Sequence, residues 1–127
     1  MDANANFFVV EQDGDTLIVT PTANMGELVQ DPVNEAMKRL LSDLLHSTAK
    51  NLIFDFHRTD YFGSTALGFF VRLWRTISGR DGRMIFCNLS SHQREILKVT
   101  RLDQLWEIRA KRDDALQTVR TTTSGKP

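Results

Sequence analysis

The sequence predicts an α/β fold: a mixed sheet, mostly parallel, with an antiparallel strand from an N-terminal hairpin and about four helices. Three observations carry that prediction. Two short β-rich runs, residues 7–12 and 16–20, flank Asp13-Gly14-Asp15, and an Asp-Gly between such runs marks a hairpin. From Asn51 onward strand-like runs alternate with helical periods, which implies parallel strands joined by right-handed crossovers. The chain has 127 residues, 41% hydrophobic and 25% charged, which suits one soluble domain with a sizeable core.

After the hairpin, residues 21–32 hold turn formers without a period and read as a loop or an irregular strand end. The period then becomes helical. Val33, Met37, Leu40, Leu41, Leu44 and Leu45 share one side, while Asn34, Glu35, Lys38, Arg39, Ser42 and Asp43 fill the other. Asp31 suits an N-cap with Pro32 at the first helical position, and this helix ends near Ser47. Residues 51–56 read as a buried strand and residues 64–78 as a second helix stopped by Gly79. A strand at 83–88 follows, then a short helix at 91–100 capped by Ser90 or Ser91. Residues 105–109 predict a last strand, and residues 113–119 a last helix capped by Asp113 or the residue before it. One domain is expected over residues 1–119, with 120–127 as a disordered tail.

Composition excludes several classes of function. Sixteen basic and sixteen acidic side chains leave no net charge, so no overall field draws the chain to nucleic acid or an anionic membrane. The single cysteine, Cys87, rules out an internal disulfide, lies in an apolar run and reads as a small buried hydrophobe. No stretch approaches the ~20 apolar residues of a membrane span. The N-terminus lacks the basic and apolar regions of a signal peptide, so a cytoplasmic location is expected. There is no glycine-rich phosphate loop, no GxSxG elbow and no HExxH. His46, His57 and His92 fall in three elements without ligand spacing, so neither a metal nor a cofactor is expected. His46 suits the negative end of the first helix, and His57 follows a strand, where α/β folds set their sites.

The informative stretch is Thr59-Asp60-Tyr61-Phe62-Gly63-Ser64-Thr65-Ala66-Leu67-Gly68, which links a strand to the second helix. Ser64 and Thr65 place two hydroxyls at a helix start, and two readings stand side by side. Ser and Thr are good N-caps because their oxygens accept from unpaired backbone N–H groups. A phosphoryl group there would instead face those donors and the positive end of the helix dipole, adding about −1.5 to −2 charges at one spot. At 100° per residue, Ala66, Leu67, Phe70, Val71, Leu73, Trp74 and Ile77 form an apolar side, and Thr65, Phe69, Arg72 and Thr76 the opposite one. Phe69 on that outward side is either covered by a neighbouring loop or is a partner contact beside Thr65. Met25 and Leu28 extend such a patch.

From Phe7 to Val119 the order of elements and several local motifs resemble the STAS domain, the fold of bacterial anti-sigma factor antagonists. Asn51-Leu52-Ile53-Phe54-Asp55-Phe56 looks like its central strand, and Gly63-Ser64-Thr65-Ala66-Leu67-Gly68 like its Asp-Ser-Ser-Gly-Leu-Gly phosphorylation loop. Gly79-Arg80-Asp81-Gly82-Arg83, the following strand with Asn88, and the run from Ile96 to Trp106 resemble its later turns. The resemblance implies a non-enzymatic switch that binds an anti-sigma factor with serine/threonine kinase activity. It implies phosphorylation at Thr65, with Ser64 beside it, and a monomer or weak homodimer. The contact surface expected from pattern and resemblance together is Met25, Glu27, Gly63, Ser64, Thr65, Gly68, Phe69 and Arg72. Three positions depart from the family pattern: Gly63 stands where the loop usually has Asp, and Ala66 where Gly is frequent. The acid of the loop after the second strand aligns near Gly26, with Glu27 adjacent. Two alternatives remain open. One is a phosphorylation-independent STAS scaffold in a signalling complex. The other is a small-molecule or nucleotide-binding domain using the strand-end crevice near Asp55 and His57.

Overall fold

The computed structural model describes residues 7–26 and 31–125. The hairpin forms from β1 (Phe8–Asp13) and β2 (Thr16–Pro21), with Asp13 opposite Thr16, so Gly14 and Asp15 alone make the turn. Gly14 holds a φ of +63°, the positive value a type II′ turn asks of its first central residue. The chain continues through α1 (Asp31–His46), β3 (Asn51–Asp55), α2 (Ser64–Ser78), β4 (Met84–Cys87) and α3 (Ser91–Val99). It ends with β5 (Glu107–Arg109) and α4 (Arg112–Gly125). Strand order is β1-β2-β3-β4-β5; the first pair is antiparallel and the other three pairs are parallel. This is the mixed sheet with four helices that the sequence predicts.

The two-residue side-chain period of the strands divides the interior between two faces. Leu17, Val19, Leu52, Phe54, Met84 and Phe86 share one core with apolar residues of α1, α2 and α3. Ile18, Ile53, Ile85 and Cys87 face Ala115 and Val119 of α4. Burial on both faces is why β3 reads as an unbroken apolar run rather than an alternating one. Cys87 is fully buried, and burial followed by the charge of Asp55 pushes its thiol up to about 12. It is an inert small hydrophobe, as expected.

Several boundaries differ from the sequence reading. α1 begins at Asp31, which puts Pro32 in the first helical turn, where proline is accommodated without losing a bond; the capping role expected of the Asp31 side chain lies outside what is described. α2 ends at Ser78 with Gly79 as its C-cap, where the sequence places the stop, but the φ of Gly79 is −66°, so the residue keeps helical backbone and is not the left-handed one. The reversal occurs at Asp81, whose φ is +61°, with Asp81 N–H donating to Ser78 O at 3.0 Å and Gly82 N–H to Ile77 O at 2.9 Å. That pair of bonds is a Schellman closure with aspartate in the left-handed position. Gly82 is required by close approach, because a Cβ there would sit 1.6 Å from the carbonyl oxygen of Lys50. β5 begins at Glu107 because a 3-10 turn occupies Leu102–Gln104 and Trp106 is drawn into the core, stacked on Phe86 at 4.9 Å. Finally, α4 runs to Gly125, past Val119 and into the segment expected to be disordered. The threonines that lower its propensity bond along the helix: Thr118 Oγ1 donates to Asp114 O at 2.8 Å and Thr121 Oγ1 to Gln117 O at 3.0 Å. No helix among the described residues is long and apolar enough to cross a membrane.

Candidate functional site

β3 delivers the chain to the carboxyl end of a central parallel strand, and the segment from there to α2 is held from both sides. On one side Asn24 acts as a clamp. Its Nδ2 donates to Asp60 Oδ1 at 2.9 Å, and its Oδ1 accepts from the N–H groups of Asp60 at 3.0 Å and Tyr61 at 3.3 Å. Met25 and Phe62 form a lone parallel bridge, and Gly63 N–H donates to Met25 O at 2.8 Å. On the other side stands the start of α3. Ser90 caps it in a reciprocal box with Gln93. The same two side chains reach the loop: Ser90 Oγ donates to Asp60 O at 2.8 Å and Gln93 Nε2 to Thr59 Oγ1 at 3.0 Å. A backbone fixed this way costs a partner little ordering entropy on binding.

The loop enters α2 through Gly63, which is the N-cap in extended conformation (φ −99°, ψ −173°) and brings no side-chain cap. Ser64 and Thr65 therefore occupy the first two helical positions, both exposed, and the reading in which one of them is the N-cap gives way. The reason is that Gly63 N–H is already committed to Met25 O, which holds the residue before Ser64 outside the helix. The first turn of α2 contains no acidic residue.

The buried stripe of α2 is Ala66, Phe69, Phe70, Leu73 and Ile77. It is rotated from the expected apolar side, and Phe69 belongs to it. The Phe69 ring lies 6.0 Å from Phe8 of β1 and 5.9 Å from Phe70, so the hairpin covers it and it is not a surface contact. Met25 is likewise buried, at 2% exposure, and supports the loop from inside rather than extending an outer patch. Gly63 is buried as well. Glu27 and Leu28 lie outside the described residues. What the structure does bring together on the outward side of α2 is Ser64, Thr65, Gly68 and Arg72.

Gly68 is not needed by the fold. A Cβ there would meet nothing within 4 Å, and its φ is not in the left-handed range. Glycine inside an exposed helix costs about 0.5–1 kcal/mol relative to alanine. Gly68→Ala is therefore expected to raise unfolding free energy by that amount in a denaturant titration; a loss of stability would show a constraint from the fold.

A second cluster lies on the α4 side of the same strand end. Asp55 Oδ1 accepts from Asn88 Nδ2 at 2.9 Å and from the ring Nδ1 and backbone N–H of His57 at 2.9 and 3.0 Å. Its Oδ2 accepts from Arg112 Nε at 2.9 Å. Burial opposes the charge on Asp55, but the hydrogen bonds from Asn88, Arg112 and His57 together outweigh it and hold the carboxyl below its ordinary value. Arg112 also donates to Glu11 Oε2 at 3.1 Å and Thr20 Oγ1 at 3.2 Å, so the cluster ties β1, β2, β3 and α4 together. His57 borders an open cleft with Ala23, Asn24, Arg58, Thr59 and Asp60. Among the described residues no group of three or more His, Cys, Asp or Glu side chains is placed to hold a metal ion. Asn24, Ser90, Gln93 and Arg112 were not singled out as site residues from sequence. Their partners lie at least 30 residues away in the chain, and only the Ser-x-x-Gln spacing of the α3 cap carried a local signal.

The sequence model of the STAS domain matches residues 8–115. The chain belongs to the STAS domain family. Solved STAS structures superpose on it over nearly their whole length. A Thermotoga maritima protein assigned as an anti-sigma factor antagonist is 18% identical with a TM-score of 0.81, covering 92% of this chain and 97% of that one. An anti-sigma-factor antagonist (STAS) domain protein from Planctomyces limnophilus is 19% identical with a TM-score of 0.76, covering 89% and 97%. The anti-sigma factor antagonist SpoIIAA of Bacillus, in its unphosphorylated form, is 21% identical with a TM-score of 0.73, covering 90% and 96%. At these identities the likeness is one of fold. No curated protein sequence matches the chain.

Proposed function

We propose that this STAS domain is a non-enzymatic regulatory module. Its β3–α2 loop and the first turns of α2 bind an anti-sigma factor with serine/threonine kinase activity, and phosphoryl transfer to Thr65 weakens that complex. The observation that carries the reading is the exposed Thr65 at the second position of α2, on a loop clamped by Asn24, Ser90 and Gln93. A phosphoryl group at that position meets the positive end of the helix dipole and no carboxylate in the first turn, so the domain carries it while folded. Inside an interface the same −1.5 to −2 charges, roughly, are costly to desolvate. SpoIIAA has been solved in unphosphorylated and phosphorylated forms, which supports a switch of this kind in a STAS fold. The module works in the cytoplasm, as a monomer or weak homodimer.

Thr65→Glu is expected to lower affinity for the kinase partner by about ten- to a hundredfold, the range of ordinary switch couplings, while Thr65→Ala stays near wild type. Titration calorimetry with the two variants reads this directly. Equal affinities would favour a second reading, a phosphorylation-independent scaffold. The observation that supports it is Gly63, which leaves the loop without its usual carboxylate.

A further inference from the structure

Charge is segregated along this neutral chain. Residues 1–55 carry three Lys or Arg against nine Asp or Glu, and residues 56–101 carry eight against three. Within the first segment, three of the nine acids are held by arginines. Glu11 and Asp55 pair with Arg112, and Asp13 with Arg120. Two basic groups of the second segment are engaged too. Arg83 pairs with Glu107, and Arg80 donates to the carbonyls of Leu44 and Ala49 at 3.0 and 2.7 Å. The other six, Arg58, Arg72, Arg75, Arg94, Lys98 and Arg101, are exposed, and none forms an ion pair among the described residues. They sit on the β3–α2 loop, the outward sides of α2 and α3, and the residues that end α3. Both helices pack on the same core, so both lie on one side of the sheet.

We infer that this is a docking surface for an acidic face of the partner protein, an inference that rests on the function proposed above and names the partner's chemistry. Five of the six groups are arginines, whose planar fork takes a carboxylate through two parallel hydrogen bonds. Unpaired surface cations steer an oppositely charged partner and raise its association rate. In a second copy of the chain, Glu11, Asp13 and Asp55 are already held by its own arginines. A long nucleic acid is disfavoured by the acidic remainder of the molecule. The surface also changes how the switch works. Thr65 and Arg72 lie seven residues apart on nearly one line along α2, about 10 Å of helix, with the bare Gly68 between them. A phosphoryl group on Thr65 repels the partner's carboxylates and competes for the Arg72 guanidinium.

The test uses purified kinase-type anti-sigma factors of the source organism as probes. Binding kinetics are measured at low and at physiological ionic strength for the wild-type chain and the triple variant Arg72→Ala, Arg75→Ala, Arg94→Ala. A matched unfolding midpoint verifies that the variant is folded. The triple variant is expected to bind at least about tenfold more weakly, with the loss mainly in association rate, and to lose most of the salt dependence. Wild-type affinity with unchanged salt dependence in the triple variant overturns this inference and leaves the proposed function standing. Failure of the wild-type chain to bind any of the kinases overturns both. Salt-dependent binding of a random-sequence DNA duplex, abolished in the triple variant, reassigns the surface to nucleic acid and overturns the acidic protein partner.

Discussion

Asp55→Ala is expected to destabilise the domain by about 2–4 kcal/mol at neutral pH, somewhat below the usual cost of breaking a buried ion pair. The discount comes from Arg112, whose side chain is 27% exposed while that of Asp55 is 3% exposed. Freed from Asp55, the guanidinium keeps Glu11 and reaches water, but Asn88 and the His57 backbone lose their acceptor. The effect should depend on pH in a defined direction. The folded-state pKa of Asp55 lies below its ordinary value, so the ionised group stabilises the native state above about pH 4. That contribution is lost as pH falls from there through the folded-state value. Denaturant titrations at pH 7 and pH 3 should therefore show a gap between wild type and variant that narrows in acid. An equal gap at both pH values would contradict the account of the cluster.

Phe70→Ala is expected to cost about 3–5 kcal/mol, the range for truncating a fully buried aromatic. The Phe70 ring lies 5.0 Å from Phe54, 5.3 Å from Phe86 and 5.4 Å from Phe62, with Phe56, Phe69 and Trp106 within 6.2 Å. Such a cluster loses ring–ring geometry as well as buried area when its centre is removed. For a domain of this size the melting temperature should fall by roughly 10–20 °C. Unlike the Asp55 effect, this one carries no titrating group and should be the same at pH 7 and pH 3. A fall of only a few degrees would mean that the neighbouring rings collapse into the space.

The contrast between these two residues also describes what could be read from the sequence. α2 was legible to the residue, Ser64–Ser78, because strong periodicity is bounded by a loop at each end. The hairpin was legible because Asp-Gly has few other uses between two β-rich runs. Phe69 was misplaced because the apolar residues of α2 wrap around more than half of the helix, and its burial depends on Phe8 arriving from β1. The left-handed residue in the turn after α2 has no such signal: glycine is the commoner residue in that conformation, yet Gly79 keeps a helical φ and Asp81 adopts it. At the candidate site, the hydroxyl pair Ser64 and Thr65 at the start of α2 is evident from residue type and position, whereas its exposure follows only from Gly63 taking the cap position. The clamp of Asn24, Ser90 and Gln93, and the bond between Asp55 and Arg112 across 57 positions, are tertiary facts with little local signature.

Thr65 is the proposed acceptor of a regulatory phosphoryl group. Intact-mass measurement after incubation with the partner kinase, magnesium and ATP tests it most directly. One added phosphoryl group is expected on the wild-type chain, located to Thr65 by fragmentation, retained in Ser64→Ala and absent from Thr65→Ala. A wild-type chain that binds the kinase yet gains no mass, or a Thr65→Ala chain that gains the same mass, would contradict it.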